Sequence, residues 1–125
     1  MDRDTLDALK TALEVTPENR PLRLAVVRAA AELGESQLAL DSLAPLAPEQ
    51  VEKEEDRIMA ARLVAAANRA GEALDWIEDL SGPEVDLLRA GLLLDLGQEA
   101  EAAAAYRRAI AANPTLQDRS LEEGL

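Results

Sequence analysis

Carboxylates are the only side chains abundant enough here to suggest chemistry: twenty-five Asp and Glu stand against thirteen Lys and Arg, with no His and no Cys. The missing pair removes the usual general base, the soft metal ligands and the thiolate nucleophile in one stroke. The densest acidic run, Glu52, Glu54, Glu55 and Asp56, could in principle gather a hard cation. On a single helix, however, those side chains point in different directions, and calcium sites draw their oxygens from a loop bent at a glycine. The run therefore reads as a solvated helical face. Phosphate binding fares no better, because the glycines are isolated and each suits the end of a helix better than a phosphate cradle. The sequence predicts no catalytic residue, no cofactor and no metal site, and so no enzyme within these residues.

What the chain builds instead is a series of short helices. Val, Ile and Thr are sparse and never alternate over the length of a strand, while Ala and Leu dominate and are strong helix formers. A first helix is predicted over residues 4–15, with Leu6, Leu9 and Leu13 on one face and Asp2, Asp4 and Asp7 at the positive end of its dipole. Thr16-Pro17 stops it. Asn19 caps a second helix with Pro21 in its first turn, and Gly34 ends it.

A third helix over 36–44 closes at Pro45. The fourth is predicted as the longest, starting at Pro48 and reaching Ala70, with charged opening turns in solvent and Gly71 as its terminating turn. The fifth, over 72–80, carries Leu74, Trp76, Ile77 and Leu80, a spacing that favours a core place for Trp76 over a role as an exposed partner anchor. A sixth over 83–96 and a seventh over 99–112 flank Gly97, and the tail from Thr115 has the makings of one more turn of helix. Leu92 and Leu94 lie on more than one face of the sixth, which fits either contacts with helices four and seven or a homo-oligomer.

Composition limits the partners. A formal charge of −12 over 125 residues argues against nucleic acid, whose phosphates require a concentrated basic surface. It favours a basic or apolar protein segment over an acidic one. The acidic start is unlike a signal peptide and no apolar run approaches the length of a membrane span, so the expected setting is the cytoplasm, away from membranes.

A glycine at 34, 71 and 97, each followed nine residues later by a large apolar residue (Leu43, Leu80, Tyr106), suggests a repeated helix-turn-helix unit. From Pro83 onward the chain resembles a tetratricopeptide repeat, with Gly97 at the inter-helix turn, small Ala102, aromatic Tyr106, then Ala109 and Pro114. Ala12 and Pro17 match the end of a preceding half repeat, and Gly34, Ala39 and Leu43 hold the pattern in the next unit. There Leu46 replaces a small residue and Pro48 arrives early. The middle unit departs most, with Trp76 in the small-residue position. The segments at 12–23 and 103–125 are also similar to the repeat region that precedes the ATPase domain in some bacterial AAA-type proteins.

The resemblance implies an all-α fold, a tetratricopeptide-like right-handed α-solenoid of about three hairpins and about seven helices in one domain over 1–125, with room for it to be the amino-terminal domain of a longer protein. It implies a non-catalytic scaffold that binds a protein or peptide on its concave face, lined by Leu24, Arg28, Ala61, Ala65, Asn68, Leu87 and Asp95. Small residues there would leave room for a peptide or would simply let helices pack. Alternative roles are the recruitment arm of an AAA-type ATPase and a small acidic chaperone. The basic clamp that chaperone-tail-binding repeats use for terminal carboxylates is not reproduced.

Overall fold

The computed structural model describes residues 2–125, and among them the chain forms eight α-helices and no strand. They are α1 (Arg3–Val15), α2 (Arg20–Glu32), α3 (Ser36–Leu43), α4 (Glu54–Ala66), α5 (Ala70–Ile77), α6 (Pro83–Asp95), α7 (Glu99–Ala112) and α8 (Arg119–Gly124), with 3-10 turns at Pro48–Gln50 and Pro114–Leu116. Two compact units divide the chain within α4, the first covering Met1–Leu63 and the second Val64–Leu125.

In the first unit α1 packs on α2 and α2 on α3. Side chains satisfy the open N–H groups at two helix starts: Asp2 accepts from the Thr5 amide at 2.8 Å and Asn19 from the Leu22 amide at 3.0 Å. Thr5 thereby holds the Asp2 carboxyl below its ordinary value. Val26, Val27, Ala29 and Ala30 form the buried face of α2, which packs on α3, where Ala39 and Leu43 are buried. From α2, the Arg23 guanidinium donates to the Ser42 carbonyl near the end of α3 and to the Pro17 carbonyl ahead of α2.

The expected long fourth helix is broken. Pro48–Gln50 makes a single 3-10 turn, Val51 follows in extended backbone with 1 % of its surface exposed, and α4 begins only at Glu54. Burying Val51 favours this break, since a continuous helix would carry that side chain on a run otherwise dominated by charge. The far end is also shorter than expected. Helix α4 stops at Ala66, and Asn68, with φ at 63°, makes the turn.

Asn68 does there what Gly34 and Gly97, at φ 75° and 76°, do at the ends of α2 and α6. In each case the amide one residue past the left-handed position donates back across the turn: Glu35 to the Ala30 carbonyl, Arg69 to Val64, Gln98 to Leu93. The shorter bond accompanies it, from Gly34 to Ala31, Asn68 to Ala65 and Gly97 to Leu94. This pairing is the Schellman closure, and Asn is the one common substitute for Gly in it. Gly71, the expected terminator, lies instead in the first turn of α5.

The correction shifts the register of the middle unit. Five residues past each left-handed cap stands a fully buried alanine, Ala39, Ala73 and Ala102; nine past it stands a buried larger residue, Leu43, Ile77 and Tyr106. Seven before each cap come Val27, Ala61 and Ala90, all with no exposed surface. The small-residue position is therefore Ala73, and Trp76, buried as expected, packs elsewhere. Replacing Asn68 with Gly is expected to leave stability unchanged or raise it slightly. Asn68→Ala should cost about 1 kcal/mol, because an alanine Cβ is disfavoured in the left-handed region; paired urea melts check both.

The second unit centres on the α6–α7 hairpin, with α5 and α8 also packed on α6. Ala90 and Leu93 meet Ala102, Ala105, Tyr106 and Leu121, flanked by half-buried Leu74, Leu87, Leu94 and Ile110. Leu92 is buried and Leu94 faces this core, where the Gly124 backbone approaches it closely. Arg89 of α6 donates to the Ile77 and Leu80 carbonyls at the end of α5, at 2.8 and 3.0 Å, and pairs with Asp86 at 2.8 Å. The Tyr106 hydroxyl donates to Glu122 at 2.6 Å and accepts from the Asp118 amide at 3.0 Å, fastening α8.

Candidate binding groove

Residues 20, 24 and 28 recur at steps of four along α2, so Arg20, Leu24 and Arg28 share one helix face. Within the first unit this face lines a groove of about 290 Å³, together with Pro21 and with Glu52, Lys53 and Asp56 from the start of α4 and the two residues before it. The N1/N2 proline of α2 is the reason for Pro21 at that place, since its missing N–H has no helical partner to lose. Pro21 and half-buried Leu24 supply the apolar surface.

One ion pair orders the groove. Arg28 donates through Nη1 to Asp56 Oδ1 at 2.9 Å, with 6 % of the Asp56 side chain exposed against 41 % of the Arg28 side chain. The two partners are not equivalent. Removing Arg28 would strand a buried carboxylate at a cost of about 1–3 kcal/mol, whereas removing Asp56 leaves a guanidinium already in reach of water. Asp56 is therefore no part of a solvated face, contrary to the sequence expectation, while Glu52, Glu54 and Glu55 are exposed. Among the described residues no group of three carboxylates converges as a cation site requires.

Of the residues expected on a concave face, only Leu24 and Arg28 line this groove. Ala61 has no exposed surface and acts as a packing residue. Ala65 is half-buried on α4, and Asn68 is a turn residue whose backbone conformation, rather than its side-chain carboxamide, is what the fold uses. Leu87 packs on the core of the second unit, and Asp95 is exposed at the last turn of α6.

Sequence reasoning missed Arg20, Pro21, Glu52, Lys53 and Asp56 as groove residues. The four-residue spacing of Arg20, Leu24 and Arg28 was available to reveal the first. No local signal marks Asp56, which meets an arginine twenty-eight positions away.

Comparison of the chain with protein-family models, curated proteins and solved structures finds no match. Among the described residues no helix is long and apolar enough to cross a membrane.

Proposed function

We propose that the chain is a non-catalytic protein-interaction module, built of tetratricopeptide-like helical hairpins in a right-handed α-solenoid, that holds a peptide segment of a partner protein. The observation that carries this reading is the groove along Arg20, Leu24 and Arg28, an apolar floor with polar groups at its edge, as peptide-binding surfaces need. The recurrence of one Schellman turn with the same buried small residue five positions on supports the hairpin repeat. A repeat of this kind buries its apolar faces by stacking and leaves a lined surface free for binding. At distances beyond the groove, the charge of −12 favours a partner that is basic or apolar overall.

The test is site-resolved cross-linking. A photoreactive residue at position 20 is expected to capture a partner protein from the source cell, and one at exposed Asp4 of α1 is not. Equal capture from both positions, or none from either, would overturn the reading.

A further inference from the structure

The groove carries a charge balance opposite to that of the chain around it. Three cations, Arg20, Arg28 and Lys53, face two carboxylates, and one of the two, Asp56, is buried and already committed to Arg28. Of the five N–H donors on that guanidinium, Nη1 serves Asp56, and the rest have no partner among the described residues. The side chains of Arg20 and Lys53 likewise have no partner there, which leaves Glu52 as the one exposed anion in the lining. Arg20 is also the first residue of α2, where the helix dipole is positive, and α2 has no acidic residue in its first turn to offset it. By contrast α4 opens on Glu54, Glu55 and Asp56.

Resting on the reading of the chain as a binding module, we propose that this groove takes the side-chain carboxylate of an internal Asp or Glu in the partner segment. An adjoining apolar residue lies on Pro21 and Leu24. The overall negative charge does not oppose this, because fields from the rest of the surface are screened over about 8 Å in physiological salt while the lining acts at contact. A carboxylate there gains charge-assisted bonds from a guanidinium that the Asp56 bond holds in one orientation, so little further ordering is required. The volume of about 290 Å³ suits one or two side chains.

Small fragments test the anchor directly on the ¹⁵N-labelled full chain by titration under NMR observation. N-acetyl-Leu-Glu-amide is expected to shift amides within 20–28 and 52–56, with a dissociation constant on the order of 1–10 mM that weakens as salt is added. The Leu-Gln and Leu-Lys amides are expected to bind at least about threefold more weakly, and Lys53→Gln should weaken the Glu fragment by a similar factor. Equal binding of the Gln fragment, tighter binding of the Lys fragment, or shifts absent or confined to other residues would each overturn the proposal. Those results leave a partner cross-linked at position 20 in place, so the anchor can fail while the module reading stands.

Discussion

Replacing Tyr106 with Ala is expected to lower the melting temperature by about 10 °C or more. The ring has 7 % of its surface exposed and touches the core contributed by α6, α7 and α8, so its loss leaves a cavity bounded by three helices. Its hydroxyl does a second job by holding Glu122 and the Asp118 amide. Tyr106→Phe keeps the ring and removes those bonds; a melt lowered only slightly, with α8 amides exchanging faster, would separate the two roles. An unchanged melt for Tyr106→Ala would place the ring outside the core.

The same hydroxyl predicts a loss of stability in alkali. Burial, then the hydrogen bond to Glu122, raise the phenol above its ordinary value of 10.0. The unfolded chain gives up this proton more readily, so the contribution is complete below pH 10.0 and is lost as pH rises through the folded value. Tyrosinate absorbance, followed alongside the melt, is expected to rise later in the folded protein than in urea.

Leu6→Ala is expected to cost about 2–5 kcal/mol, and to spend that loss on α1 more than on the rest of the chain. Leu6 is the one residue of α1 that is buried; Leu9 and Leu13 are half-buried and Val15 is 79 % exposed. The ion pair from Arg3 to Glu35 joins an exposed and a partly exposed side chain and contributes little. Hydrogen exchange should show α1 amides losing protection while those of α2 keep it. Uniform loss across both helices would mean that α1 and α2 unfold as one body.

Helix positions were largely legible because breakers and apolar spacing are local properties. Helix α7 occupies the predicted span, Trp76 lies in the core, and Gly34 and Gly97 end their helices as read. The error at Gly71 has a definite cause. Asn68 and Gly71 both offer a left-handed turn, and glycine is the stronger signal in isolation; what decides is tertiary, since a turn at Asn68 puts Ala73 and Ile77, five and nine residues on, in buried positions, whereas Leu80 lies half-buried beyond the end of α5. The groove was half legible for a different reason. Its α2 side follows from a four-residue spacing, but its other side depends on Lys53 and Asp56 approaching from a distant segment. A run of acids looks solvated until an arginine is placed against it.

The arginine bonds described above also impose an order of events on a chain made from its amino end. Arg23 precedes the helix whose end it binds, so when the Ser42 carbonyl leaves the ribosome its donor has already been synthesised. For α5 the order is reversed: the carbonyls of Ile77 and Leu80 wait for Arg89, nine to twelve residues later. An eight-residue helix is too short to persist in water by itself. Helix α5 therefore takes its final form only as α6 emerges, and a pause that leaves Leu80 outside the tunnel while Arg89 is still within it would hold Trp76 and Ile77 exposed to any chaperone waiting at the exit.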